Sequence, residues 1–366
     1  MRPGLTLLCI TKDQAPKLLR MLQSVQGVVD DIVVFDTGSR DLSPGVARTQ
    51  GARLFQIEWP GSFSDALNQA IPEVQTEWTL RLDTDEWLPP NSVPPIRRLM
   101  EKDDAFGYYL IRQDLSDEVH FSEAWHLRMW RSDPQLRYAG FIHEHFPEPV
   151  LTRAARGRKV FRAPIRFLHD GYMGGVSESR HRRNIELLRR ELEVNPGELY
   201  YGTELAMTLL LVHEAGAEDM VNRLTDQVLA GFHEQRPEPY TANLLGTALS
   251  IVPRRELESD RTKLLVERSW KWFDASPPML WAIAQIEYRR KNLEGVFRAL
   301  LRLDEIAASG EFEREWTFDG RILREGLWDF LGRVATVLGD EDVAQRNRAR
   351  LEAASDSGGP DAAGAA

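Results

Sequence analysis

A single cysteine, Cys9, stands in a chain of 366 residues. A disulfide within the chain is excluded, and a reducing compartment suits such usage. Cys9 sits inside an apolar run, where a small buried hydrophobe is the expected role rather than a nucleophile. Long hydrophobic runs are missing too. None approaches the ~18 apolar residues of a membrane helix. Met1-Arg2-Pro3-Gly4 leads into a run too short and wrongly flanked for a signal peptide. A soluble, cytoplasmic protein with no transmembrane segment is therefore expected. There is no basic excess: 46 Lys and Arg against 56 Asp and Glu give a net charge of -10. That argues against a general nucleic-acid binder, which must neutralise phosphates. No Gly-x-Gly-x-x-Gly follows the first strand-like run and no Walker A loop occurs, so a dinucleotide cofactor and P-loop chemistry are not expected. What remains is an ordinary globular balance, 42% hydrophobic and 28% charged, over a length that favours two domains.

The first half alternates strand and helix patterns. Leu5-Thr6-Leu7-Leu8-Cys9-Ile10 is nearly all apolar, as parallel strands covered on both faces are. Thr11-Lys12-Asp13 follows it. Leu18, Leu19, Met21, Leu22 and Val25 then carry a helical period that stops at Gly27. Ile32-Val33-Val34-Phe35 is a second strand, ending in Asp36-Thr37-Gly38-Ser39-Arg40-Asp41. A third spans 52–57. Phe63, Ala66, Leu67, Ala70 and Ile71 have helical spacing, with Asp65 and Asn68 off the stripe. This βαβα order predicts a doubly wound sheet with its ligand at the strand C-termini.

The fourth strand, Trp78-Thr79-Leu80-Arg81-Leu82, runs into Asp83-Thr84-Asp85-Glu86. Alternate strand residues face the same way, so Asp83 and Asp85 share a side if the strand runs on. Two carboxylates there can hold a hard divalent cation, and such an ion can neutralise a diphosphate. An acidic turn after a strand is the simpler reading of the same residues.

Taken in order, these segments resemble the motifs of family 2 glycosyltransferases with a GT-A fold. The likeness is strongest to the branch of lipopolysaccharide-core glucosyltransferases and SunS-type peptide glycosyltransferases. In that branch the strings are K-N-E, D-T-G-S-x-D, A-R-N and D-A-D-E. The chain has Lys12-Asp13 where K-N-E would stand, and Leu67 at the A-R-N arginine, so the phosphate contact of that arginine lacks its usual residue. Further on, Trp125-His126-Leu127-Arg128-Met129-Trp130-Arg131 resembles R-L-F-R, Gly140-Phe141-Ile142-His143-Glu144 resembles G-x-V-H-E, and Phe167-Leu168-His169-Asp170-Gly171-Tyr172 resembles H-x-G-Y. The resemblance implies an inverting transferase using a nucleotide-sugar, a UDP-sugar by preference, with Mn2+ or Mg2+. It places Thr11, Asp13, Asp36, Asn68, Asp83 and Arg128 at the donor, with Arg128 able to replace some of the charge missing at Leu67. Asp85 and His169 become metal ligands. Glu144 becomes the general base, with His143 and Asp170 as alternatives that the sequence does not separate. The usual structural role for Asp36 would be a turn or helix cap.

From about 176 the chain turns helical. Amphipathic runs at 183–194, 200–214 and 217–229 are followed by pairs at about 239–274, 277–308 and 319–354, each interrupted by Pro or Gly. Such two-helix units suggest an α-solenoid, and their small-residue positions resemble degenerate TPR repeats. Most of the aromatics there, Trp270, Trp281, Trp316 and Trp328 among them, fit inter-helix packing. The small, Gly-rich stretch 355–366 reads as a disordered tail. The expected architecture is an α/β GT-A domain with a mixed, Rossmann-like sheet over 1–175 and an all-α TPR-like domain over 176–354. The acceptor would be a saccharide, a lipid-linked sugar or a peptide, and a homodimer is compatible. The rivals are a sugar nucleotidyltransferase, a plain nucleotide-binding module and a TPR-type scaffold carrying a degenerate nucleotide-sugar domain.

Overall fold

The computed structural model describes residues 1–115, 120–121, 123–171, 178–232, 235–313 and 318–356. Tyr172, Trp316 and all but the first two residues of the expected tail lie outside them. Two compact units form, one of residues 1–117 with 123–196, the other of 118–122 with 197–366.

Among the described residues, the first unit holds an eight-stranded mixed sheet. Its strands are β1 (Arg2–Thr11), β2 (Asp31–Asp36), β3 (Arg53–Gln56), β4 (Thr76–Arg81), β5 (Glu86–Trp87), β6 (Ala105–Asp114), β8 (Glu123–Arg131) and β9 (Lys159–His169). A two-residue strand, β7 (His120–Phe121), belongs to the second unit. The order across the sheet is β3-β2-β1-β4-β8-β6-β9-β5. β1 pairs parallel with both β2 and β4, as the βαβα pattern predicts, and β8 returns antiparallel beside β4. Helices α1 (Ala15–Ser24), α2 (Ser43–Thr49), α3 (Phe63–Ala70), α4 (Val93–Leu99) and α5 (Glu148–Ala155) connect the strands. Strand alternation divides the apolar residues between two faces. Leu5, Leu7 and Cys9 pack with Leu18, Met21 and Leu22 of α1; Leu8 and Val33 pack with Leu67, Ala70 and Trp130 on the other side. Both faces are covered, which is why β1 carries an almost unbroken apolar run. Cys9 is buried as expected, and burial pushes its thiol pKa well up.

Helix α6 (Glu178–Val194) clusters with this first unit, so the units divide at 196/197, where the sequence suggested 175/176. The polar stripe of α6 explains the difference. Glu191 Oε2 accepts from the Phe141 amide at 2.8 Å, and Arg190 Nη1 donates to the Gly61 carbonyl at 3.0 Å.

The second unit is helical: α7 (Leu199–Leu211), α8 (Ala217–Gly231), α9 (Thr241–Ile251), α10 (Asp260–Phe273), α11 (Pro277–Arg289), α12 (Leu293–Ser309), α13 (Glu325–Leu338) and α14 (Glu341–Asp356). A two-residue strand, β10 (Phe318–Asp319), pairs with β7. Consecutive helices pack in pairs, and α9 also packs on α11. Leu244, Leu245, Leu280, Ile283, Leu300 and Leu303 fill one continuous core. Gly310 and Gly339, at φ 69 and 79, end α12 and α13 in the left-handed conformation that glycine adopts without a Cβ penalty. Trp281 meets Phe330 edge-on at 5.7 Å, the packing role its spacing suggested.

Candidate active site

The carboxyl ends of β1, β2, β4, β6 and β9 carry the polar residues that the apolar strands do not. β1 and β2 are in register with Thr11 opposite Asp36, so both strands end at one level. Asp36 is fully buried. Its Oδ1 accepts from the amides of Gly38 at 3.2 Å and Ser39 at 2.8 Å, closing the turn for which Gly38 adopts φ 99. Among the described residues, Asp36 Oδ2 and the buried Thr11 Oγ1 have no hydrogen-bond partner. Two orphaned buried polar atoms on residues opposite each other in strand register require an explanation, and a ligand is one.

Asp13 does different work. It takes φ 51, and its Oδ1 accepts from the amides of Arg40 at 2.6 Å and Asp41 at 3.3 Å. Its own amide donates to Ser39 Oγ at 2.8 Å. The residue clamps the loop after β1 to the loop after β2. Asn68, on α3, is bound on both sides of its amide to the Tyr138 backbone, Oδ1 accepting at 2.8 Å and Nδ2 donating at 3.0 Å.

β4 ends at Arg81, and residues 83–86 form a turn in which the Glu86 amide donates to the Asp83 carbonyl at 3.0 Å. The strand does not run on. Asp83 and Asp85 therefore do not share a side by alternation, and they meet different partners. Asp83 lies between Arg81 Nη2 at 3.1 Å and Arg128 Nη2 at 3.3 Å. Arg81 also pairs with Glu144, and Arg128 with the buried Glu86. The result is an alternating chain of charges, Glu144–Arg81–Asp83–Arg128–Glu86. Burial opposes the charge on Asp83, yet the two guanidiniums outweigh it and hold its pKa at about 2. For Glu86 burial is the larger influence and the pKa is raised despite Arg128. Of the three base candidates, Glu144 joins this cluster. His143 is exposed at φ 55. Asp170 is held by Lys17 at 3.1 Å and Arg20 at 2.8 Å; those cations overcome partial burial and lower its pKa.

Asp85 turns toward β9. Its Oδ2 lies 3.5 Å from His169 Nε2. His169 is buried, opposite Glu86 on one side and Asp114 on the other in strand register. Its Nδ1 lies 2.7 Å from Asp114 Oδ1. Burial disfavours the imidazolium, but the hydrogen bonds to Asp114 and Asp85 outweigh it and raise the pKa to about 9. Gly171 stands against this corner. A Cβ built there would fall 2.3 Å from His169 Nε2 and 2.7 Å from Asp85 Oδ2. The two atoms thus face one small space that only glycine leaves open. No group of three or more His, Cys, Asp or Glu is arranged around a metal position among the described residues. One carboxylate and one imidazole do fit a divalent cation that takes its other ligands from substrate phosphates and water, the way Mg2+ is commonly held.

Sequence reasoning assigned no role to three residues of this site: Arg81, Glu86 and Asp114. Arg81 was legible as a charge within an apolar strand. Asp114 ends a strand as Asp36 does, and that recurring pattern is the signal that would have found it.

Residues 6–163 match the glycosyl transferase family 2 model. A TPR repeat-containing protein of Synechococcus elongatus is 30% identical over 264 residues, 70% of this chain and 63% of that protein. The SPbeta prophage-derived glycosyltransferase SunS of Bacillus subtilis is 23% identical over 214 residues, 56% of this chain and 49% of its own. The chain thus spans less than two thirds of either relative. Among solved structures, a mannosyltransferase of Pyrobaculum calidifontis, in complex with GDP-Man and Mn2+, is 16% identical; the match covers 74% of this chain and 87% of that one at a TM-score of 0.39. The match to the glycosyl transferase family 2 model thus falls almost wholly within the first unit, whose strands carry the site residues at their ends.

Proposed function

We propose that the chain transfers a glycosyl group from a nucleotide-sugar, a UDP-sugar by preference, to a saccharide, lipid-linked or peptide acceptor, with inversion at the anomeric carbon. The observation that carries this reading is the space over Gly171, faced by His169 Nε2 and Asp85 Oδ2 at the carboxyl edge of the sheet. Asp85 and His169 would hold Mn2+ or Mg2+, which supplies charge neutralisation for the departing diphosphate. Asp36 Oδ2 and Thr11 Oγ1 would receive the base or ribose of the nucleotide. Asp83 and Arg128 would line the diphosphate side, with Arg128 and Arg81 standing in for the arginine absent at Leu67. Glu144, aimed by Arg81, would take the proton of the acceptor hydroxyl as its oxygen attacks C1.

The helical unit, read as TPR-like, is the candidate platform for the acceptor, since helix-pair arrays present extended concave surfaces. A cytoplasmic location suits the lone buried thiol, and among the described residues no helix is long and apolar enough to cross a membrane. The second reading, a scaffold with a degenerate donor domain, is favoured by Leu67 at the arginine position and by Asn68, whose amide is fully engaged with Tyr138.

Calorimetric titration of UDP with and without Mn2+, followed by a screen of nucleotide-sugars for donor hydrolysis, tests the proposal. Metal-dependent UDP binding with hydrolysis of one donor supports the enzyme. Equal UDP affinity in both conditions removes the metal, and no donor turned over favours the scaffold.

A further inference from the structure

We propose that Asp114 is a positioning residue that sets the orientation and tautomer of His169. The inference rests on the reading of Asp85 and His169 as the cation corner. Asp114 and His169 are the last residues of the parallel strands β6 and β9 and stand in register, which brings their side chains together on one face of the sheet. The carboxylate is only 4% exposed and the imidazole 6%. The Nδ1 to Oδ1 distance of 2.7 Å is that of a charge-assisted hydrogen bond. An ionised carboxylate only accepts, so the proton of the pair belongs on Nδ1 and the lone pair of a neutral ring falls on Nε2. Nε2 is the atom that faces Asp85 and the space over Gly171.

The carboxylate is itself held. Arg112 Nε lies 2.8 Å from Asp114 Oδ1, and Arg112 Nη2 donates to Oδ2 at 3.2 Å. The Leu115 amide donates to the His169 carbonyl at 2.7 Å, fixing the two strand ends to each other. A purely stabilising ion pair would be complete with Arg112 and Asp114 alone. The added imidazole, turned so that its far nitrogen meets a second carboxylate beside a glycine, is the arrangement in which an outer carboxylate orients a metal-binding histidine.

The test measures Mn2+ affinity of the full chain in the presence of UDP, by electron paramagnetic resonance of free Mn2+. UDP affinity in EDTA and the melting temperature serve as controls. Asp114→Ala is expected to weaken Mn2+ binding by about 10- to 100-fold, as loss of such outer carboxylates does. UDP affinity in EDTA should hold. Asp114→Asn, which keeps an acceptor oxygen and the side-chain size, should fall between Ala and wild type, and it decides the matter if the Ala variant fails to fold. His169→Ala should lose at least as much, and the double variant no more than His169→Ala, because Asp114 acts through the ring. Wild-type Mn2+ affinity in the Asp114 variants, with His169→Ala impaired, overturns the positioning role and leaves the cation corner standing. An equal fall in metal-free UDP affinity also overturns it, since that marks general damage. Wild-type Mn2+ affinity in His169→Ala overturns the corner and this inference together.

Discussion

Gly171→Ala is the perturbation that addresses the site most directly. The added Cβ would stand 2.3 Å from His169 Nε2 and 2.7 Å from Asp85 Oδ2, where ordinary contact begins at 3.4 Å. Gly171 has no left-handed φ, so alanine meets no backbone penalty and the effect is steric alone. Both neighbours must retreat, Nε2 by about 1 Å, whereas metal–ligand distances tolerate only about 0.2 Å. The imidazole cannot give way cheaply, being buried and bonded to Asp114 at 2.7 Å. Overpacking of this kind costs about 1–3 kcal/mol of stability. Displacing a ligand should weaken Mn2+ binding by at least the about 10-fold that loss of an outer-shell partner costs, equivalent to about 1.4 kcal/mol. Calorimetry with Mn2+ and UDP measures the affinity, and urea unfolding the stability. His169→Ala introduced beside Gly171→Ala should return part of the lost stability, because the clash goes with the ring. Wild-type Mn2+ affinity in a folded Gly171→Ala protein would refute the reasoning, for it would mean the cation does not sit over this glycine.

Three further outcomes are expected. Glu144→Gln should lower the transfer rate by about 10²- to 10⁴-fold, as loss of a general base does, while UDP affinity stays level; initial rates within a few-fold of wild type would exclude Glu144. Asp36→Ala should reduce UDP affinity by about 1.5–3 kcal/mol, the worth of a hydrogen bond to a charged group, read by calorimetry; unchanged UDP binding would return Asp36 to a turn-forming role alone. Asn68→Ala should cost about 1–3 kcal/mol because the Tyr138 amide and carbonyl lose their partner, seen as a lower urea midpoint; a loss of UDP affinity with stability unchanged would instead place Asn68 at the donor.

Much of the fold was legible because it rests on local patterning. Leu5, Leu7, Leu8 and Cys9 had to be a covered strand, and β1 extends over them on both sides. The helical second half followed from periodicity and from Gly and Pro breaks, and α11 and α12 match the expected pair at 277–308 to within one residue. The site was legible in part. Asp85 and His169 are 84 residues apart in number, yet the order of motifs nominated both, and they stand 3.5 Å apart. Asp83 and Asp85 show where the pattern failed. Alternation assumed an extended strand, but the Asp83–Glu86 turn sent the two carboxylates to different partners.

By itself, then, the sequence determined the kinds and order of elements, the two-part organisation and the acids that end the strands. These depend on which residues neighbour each other along the chain, where period 2 or 3.6 decides what is buried. Tertiary structure alone decided which charges meet. Arg81 finds Glu144 across 63 residues, Arg128 finds Glu86 across 42, and Asp114 finds His169 across 55. It also decided that α6 joins the sheet unit, through hydrogen bonds to Gly61 and Phe141. Such pairs are set by strand register and by a low-dielectric interior in which a charge without a partner is costly. Neither is written in the spacing of residues along the chain.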